Sequence, residues 1–291
     1  MRFQGLMTAL VTPFSGGRLD EGAFRRLVRR QIDHGVEGLV PCGTTGEAPT
    51  LSAEEHDAVV RWTIEEARGE VPVMAGIGSN NTAQAVQNAV RMQGLGVDGV
   101  LATAPYYNKP PQAGLLRHFA AIAEAVSVQV CLYDVPGRSV IHVAPDTVAA
   151  LAEIENITCL KDATGDMANA TAVRRLCGPS FSMLSGDDFT TLAFLAQGGD
   201  GVISVASNVV PSEMRLLTDA ARRGDLKQAQ AASERLLPLF DNLFVESNPI
   251  PVKAALAALG LCEDELRLPL VPMSDGARAG LVETLRELGV S

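Results

Sequence analysis

Among the four lysines of the chain, Lys161 has an unusual setting, because it ends the apolar run Ile157-Thr158-Cys159-Leu160 instead of lying on a charged helix face. A lysine amine is nucleophilic only when neutral, and burial in apolar surroundings favours the neutral form. A lysine so placed can form a Schiff base with a carbonyl compound. The competing reading is a structural ion pair with Asp162, Asp187 or Asp188. Hydroxyl groups gather at comparable points. Thr44 and Thr45 lie in Gly43-Thr44-Thr45-Gly46-Glu47, Tyr106 and Tyr107 follow the run ending at Ala104, and Tyr133 closes another run. Taken singly, Tyr106 and Tyr107 read as packing. With all three tyrosines of the chain at strand ends, they read as proton-relaying groups that add no net charge beside an iminium. The glycine turn offers N–H groups and hydroxyls to a carboxylate, and Arg138, after Pro136-Gly137, suits bidentate carboxylate capture.

Metal-assisted carbonyl chemistry is the main enzymatic rival. His34, His56 and His118 fall on helical segments and His142 beyond the fifth strand, so the histidines form no strand-end cluster, and neither metal nor cofactor is expected. The five cysteines are scattered, lack a C-x-x-C pair and read as reduced core residues. Gly94-Leu95-Gly96-Val97-Asp98-Gly99 satisfies G-x-G-x-x-G, but it follows a helix and precedes a strand, the reverse of a dinucleotide fingerprint.

These residues need a frame that brings strand ends together. Apolar β-rich runs recur at 6–11, 38–41, 72–76, 99–104, 128–133, 157–161, 181–185 and 201–205, with onsets roughly 20 to 34 residues apart. Between them, Phe24, Leu27, Val28 and Ile32 fall at helical spacing, and Ser52 with Glu55 forms a capping box before a run to about residue 68. Glycines suited to helix C-caps precede three strands, at Gly35, Gly96 and Gly198. Eight such units predict an α/β fold, a (β/α)8 TIM barrel, whose active site lies at the C-terminal strand ends. Helices at 216–259, broken near Gly224 and at Asn248-Pro249, and at 274–288 predict a helical appendage. The expected division is a catalytic barrel over 1–224 and a helical domain over 225–291.

A hydrophobic content of 47% excludes intrinsic disorder. With 24 Lys plus Arg against 34 Asp plus Glu, a net charge of −10 argues against a nucleic-acid partner. The longest uncharged stretch is broken by polar residues, so no membrane span is expected. Met1-Arg2-Phe3-Gln4-Gly5 does not read as a secretory leader, and a cytoplasmic location is expected.

The motifs resemble the N-acetylneuraminate lyase and dihydrodipicolinate synthase superfamily over nearly the whole chain, and within it the dihydrodipicolinate synthases. The resemblance rests on Gly43-Thr44-Thr45-Gly46-Glu47, Ala104-Pro105-Tyr106-Tyr107-Asn108-Lys109-Pro110, Tyr133 with Val135-Pro136-Gly137-Arg138, and Lys161 with Ala163-Thr164-Gly165-Asp166. It extends through Ser185-Gly186-Asp187-Asp188, Gly201-Val202-Ile203-Ser204 and Asn248-Pro249-Ile250-Pro251-Val252-Lys253. It implies a class I aldol-type condensation of pyruvate with aspartate 4-semialdehyde, then cyclisation, towards diaminopimelate and lysine.

Under that resemblance Lys161 carries the pyruvate imine, and Tyr133, Thr44 and Tyr107 relay protons, Tyr107 reaching in from a neighbouring subunit. Thr45 holds the pyruvate carboxylate, Arg138 receives that of the semialdehyde, Gly186 and the Ile203 carbonyl line the pocket, and the assembly is a homotetramer of tight dimers. His56, Asn80 and Tyr106 match an inhibitor site for lysine. In that region Gln84 replaces an acid, Ala48 and Ala53 lack polar side chains, and Pro49 also falls there, so weak or absent inhibition is expected. Asp134 stands where Asn is more usual. The alternatives are a pyruvate-dependent lyase acting on sialic acid or a 2-keto-3-deoxy sugar acid, which generally lacks the arginine, and a barrel that only binds small acids or a protein.

Overall fold

The computed structural model describes residues 2–290; Met1 and Ser291, the outer ends of the two expected domains, lie outside them. The chain enters through β1 (Gly5–Ala9), makes a small antiparallel hairpin, β2 (Phe14–Ser15) and β3 (Arg18–Leu19), and then alternates helices with strands. The strands are β4 (Gly38–Val40), β5 (Met74–Gly76), β6 (Gly99–Thr103), β7 (Gln129–Asp134), β8 (Ile157–Asp162), β9 (Ser182–Ser185) and β10 (Gly201–Ser204). Eight of them pair in parallel in the order β4-β1-β10-β9-β8-β7-β6-β5. The Leu39–Val73 bridge and the hydrogen bond from Gly76 N to Pro41 O join the two ends into a barrel. All eight expected strands are present, and the hairpin is additional.

Period-two alternation sorts each strand between two apolar layers. Met7, Val40, Met74, Leu101, Cys131, Cys159, Leu184 and Ile203 pack inside the barrel with Phe3. Leu6, Leu39, Val100, Leu132, Leu160 and Val202 face the helical ring. On β7 and β8 this alternation puts Tyr133 one step beyond Cys131, and Lys161 one step beyond Cys159, on the inner face, with Tyr133 opposite Lys161 in register. All five cysteines are free, and the Sγ atoms of Cys131 and Cys159 lie 3.0 Å apart.

Local signals set the helix ends. Asp20 caps the helix Glu21–Asp33 by accepting from Ala23 N, and Ser52 and Glu55 close a capping box on Ala53–Ala67. Gly96 ends the helix Thr82–Leu95 at φ +95°, a left-handed conformation that glycine adopts without a Cβ clash, and the chain then enters β6. The G-x-G-x-x-G stretch is therefore a helix-to-strand turn. After β10 come helices Pro211–Arg222, Leu226–Phe244, Ile250–Ala258 and Asp275–Leu288, the second packing against the first and the fourth. Among the described residues no helix is long and apolar enough to cross a membrane.

Candidate active site

Lys161 enters the site from β8 and is only 6% exposed. Its Nζ sits 4.3 Å from the centroid of the Tyr133 ring on neighbouring β7. It makes no ion pair among the described residues, and the three candidate partners are engaged elsewhere. Asp162 accepts from Thr164 N, Thr164 Oγ1 and Asn169 Nδ2; Asp187 accepts from Phe189 N and Thr190 Oγ1. Asp188 Oδ2 accepts from Val205 N at 3.0 Å and Ala206 N at 2.9 Å. The structural ion pair is thus absent among the described residues. Gly186 lets Lys161 stand there, since a Cβ at that position would come within 3.1 Å of Lys161 Cε and 2.8 Å of Ala163 Cβ. Ile203 joins the apolar layer inside the barrel, on β10.

A cavity of about 290 Å³ opens on the same end of the barrel, lined among others by Thr44, Thr103, Tyr106, Val135 and Arg138. Arg138 lies on the short helix Pro136–Ser139 after β7 and donates to the Asn248 carbonyl at 3.0 Å. Thr45 is 3% exposed and its hydroxyl accepts from Asn248 Nδ2, also at 3.0 Å. Tyr107 departs from the expectation of hydroxyls converging on one mouth within a single chain. Its backbone is left-handed at φ +71° and its side chain is 87% exposed.

The loop bearing Thr44 and Thr45 is anchored from behind. Glu47, left-handed at φ +53°, is fully buried; its Oε1 accepts from Lys253 Nζ at 2.7 Å and its Oε2 from Arg267 N at 3.1 Å. Lys253 also donates to the carbonyls of Thr12 and Glu265 and lies 4.3 Å from the centroid of the Phe14 ring on the β2–β3 hairpin. Burial lowers the Lys253 pKa, while Glu47 favours its charged form.

The model of the dihydrodipicolinate synthetase family matches residues 2–288. The chain belongs to this family. A 4-hydroxy-tetrahydrodipicolinate synthase from Syntrophus aciditrophicus is 48% identical over 288 residues, 99% of each chain. A dihydrodipicolinate synthase from Acinetobacter baumannii, solved in complex with pyruvate, superposes with a TM-score of 0.97 at 41% identity over 99% of each chain. One from Cyanidioschyzon merolae, solved with lysine bound, does so at 0.97 and 38% over 99% of each.

Of the four residues read as an inhibitor site in this family member, His56 and Tyr106 line the cavity. Asn80 and Gln84 are not among its lining residues: the Asn80 carbonyl accepts from Asn108 Nδ2, and Gln84 is exposed and bonded to Asn88. Burial lowers the His56 pKa, so the ring is neutral near pH 7 and donates from Nε2 to the Gly76 carbonyl at 2.9 Å. Behind Tyr133, Asp134 is bonded to His142 Nδ1 at 2.6 Å, and burial pushes its pKa up to about 6. Sequence reasoning singled out none of Asn248, Lys253, Glu47 or this aspartate–histidine contact as site features. The signal for Lys253 was present, as the lone charge within Ile250-Pro251-Val252-Lys253-Ala254-Ala255-Leu256.

Burial also raises the Asp188 pKa to about 6, from an ordinary 3.8. The native state then binds this proton more tightly than the unfolded chain, so stability falls as pH rises from about 4 to 6 and levels off above. Two pKa units correspond to about 3 kcal/mol. Because both N–H bonds go to Oδ2, Asp188→Asn keeps both acceptances and removes the charge. The variant should melt several degrees above the parent at pH 8, with the gap closing towards pH 4. Thermal melts across that range check it, and an unchanged gap would assign the difference to packing.

Proposed function

We propose that the protein acts as a 4-hydroxy-tetrahydrodipicolinate synthase, condensing pyruvate with aspartate 4-semialdehyde on Lys161. The observation that carries the assignment of the nucleophile is the buried amine of Lys161, without an ion pair among the described residues, against Tyr133 at the C-terminal end of β8. The amine adds to C2 of pyruvate and expels water, giving an iminium that acidifies the C3 protons. Loss of one gives an enamine whose C3 attacks the semialdehyde carbonyl. The amino group of the condensed chain then attacks C2, closing the ring and releasing Lys161. Tyr133, Thr44 and Tyr107 move the protons, with Thr45 on the pyruvate carboxylate; Gly186 and the Ile203 carbonyl shape the pocket. Tyr107, exposed in its own chain, serves the site of a neighbouring copy in a homotetramer.

Borohydride reduction in the presence of pyruvate tests the reading. The pyruvyl mass should appear on the peptide bearing Lys161, and turnover should require aspartate semialdehyde and not N-acetylneuraminate. Cleavage of N-acetylneuraminate instead would favour the sugar-acid lyase alternative.

Arg138 supplies the selectivity for an acceptor carrying a carboxylate. Losing a buried charged contact costs on the order of 2–5 kcal/mol. Arg138→Leu should therefore lower kcat/KM for the semialdehyde by roughly 30-fold or more, while pyruvate trapping stays near the parent level. Equal loss of both would make Arg138 structural.

Weak inhibition by lysine follows from Gln84, Ala48 and Ala53. An absent charge-assisted contact weakens binding roughly ten- to a hundred-fold. Titrating lysine into the condensation assay should give half-inhibition no lower than about a millimolar by that reckoning; strong inhibition at micromolar lysine would refute it.

A further inference from the structure

We infer that Asn248 is a positioning residue that makes the Thr45 hydroxyl a donor towards a substrate carboxylate and, through its own carbonyl, holds Arg138 alongside. The inference rests on the proposed roles of Thr45 and Arg138. Asn248 lies between the helices Leu226–Phe244 and Ile250–Ala258, 203 residues from Thr45 in sequence, and is 7% exposed. Its side chain donates to Thr45 Oγ1 at 3.0 Å while its backbone carbonyl accepts from the Arg138 guanidinium at 3.0 Å. One residue of the C-terminal segment thus touches both groups assigned to carboxylates.

The direction of the Thr45 contact carries the argument. A hydroxyl has one hydrogen and two lone pairs. With Nδ2 donating to a lone pair of Oγ1, the Thr45 hydrogen must go elsewhere, and no protein acceptor takes it among the described residues. A substrate carboxylate bound beside Thr45 would satisfy it. The opposite amide orientation would put Oδ1 against Oγ1, consume the hydrogen and present a lone pair to the carboxylate. Asn248 Oδ1 is buried without a partner among the described residues, so the contact with Thr45 is the one hydrogen bond of that side chain there. In that orientation the amide leaves its oxygen unsatisfied and Thr45 poised to donate.

Asn248→Asp is the decisive substitution, because it keeps shape and the backbone carbonyl but offers only carboxylate oxygens to Thr45 above its pKa. The expected result at pH 8 is a pyruvate KM raised at least about tenfold, the size of a lost charge-assisted hydrogen bond. kcat should fall less than about threefold, because saturating pyruvate overcomes a binding defect. Asn248→Ala, which leaves the Thr45 hydrogen free but unaligned, should raise KM less. In a Thr45→Val background, Asn248→Asp should add little, since the group it acts through is gone. Equal KM effects of Asp and Ala, additive effects with Thr45→Val, or an unchanged KM in Asn248→Asp would each overturn the inference. If Asn248→Asp does not fold, the cycle of Asn248→Ala with Thr45→Val decides by the same additivity. Borohydride trapping on the parent protein separates the two levels. A pyruvate adduct at Lys161 with an unaffected variant KM rejects Asn248 alone, whereas no adduct at all rejects the functional reading with it.

Discussion

Lys161→Ala is expected to lose turnover by about 10⁴-fold or more while the barrel stays folded, the scale seen when a covalent nucleophile is removed. Loss of fold is not the expected cause, because no hydrogen bond or ion pair among the described residues depends on the amine, which lies over the Tyr133 ring. Lys161→Arg sharpens the test, since it keeps a cation near the Tyr133 ring but has no nucleophilic amine. Both variants should show near-parental circular dichroism, no borohydride-stable pyruvate adduct and no measurable condensation. Turnover of either variant within tenfold of the parent would remove Lys161 from the chemistry.

Lys253→Met should give the largest loss of stability, about 3–5 kcal/mol. Both members of the Lys253–Glu47 pair are essentially unexposed. The substitution leaves a buried carboxylate with Arg267 N as its remaining donor among the contacts described. It also frees the carbonyls of Thr12 and Glu265 from their shared donor. A melting temperature lower by about 6–15 °C is expected. Adding Glu47→Gln should recover part of the loss, since a neutral amide needs no cation yet still accepts from Arg267 N. A double variant as unstable as Lys253→Met would mean that the lost donor to the Thr12 and Glu265 carbonyls and the lost contact with the Phe14 ring, and not the Glu47 charge, set the cost. Kinetics report a second consequence, because Glu47 ends the loop that holds Thr44 and Thr45, and its release should raise the pyruvate KM before the protein melts.

The barrel was legible because each strand is a short apolar run bounded by turn residues, and because glycines such as Gly96, with their positive φ, stop the helices where the next strand begins. The hairpin at Phe14–Ser15 and Arg18–Leu19 was not, as two-residue strands carry no periodicity. Lys161 announced itself by ending an apolar strand, a contrast visible within five residues. Lys253 offered a similar contrast on a helix, but its meaning depends on Glu47, some two hundred residues earlier, and on a hairpin whose Phe14 ring it covers. Asn248 stands within the run Asn248-Pro249-Ile250-Pro251-Val252-Lys253, yet nothing local distinguishes an asparagine that caps a turn from one that reaches a threonine across the molecule. Tyr107 shows the reverse problem. Its place after β6 predicts a mouth-facing ring, yet the residue is left-handed and its side chain exposed.

The pairing of β1 with β10 has a consequence during synthesis. β1 acquires β4 early, but its other edge has no partner until residue 204 has left the ribosome. At about 5–20 residues per second that delay is roughly 10–40 s. Through this interval the nascent chain carries an open parallel edge, the kind that recruits other strands. The residues that anchor the Thr44–Thr45 loop, Asn248 and Lys253, arrive later still. A chain truncated before β10 would leave that edge of β1 unpaired permanently.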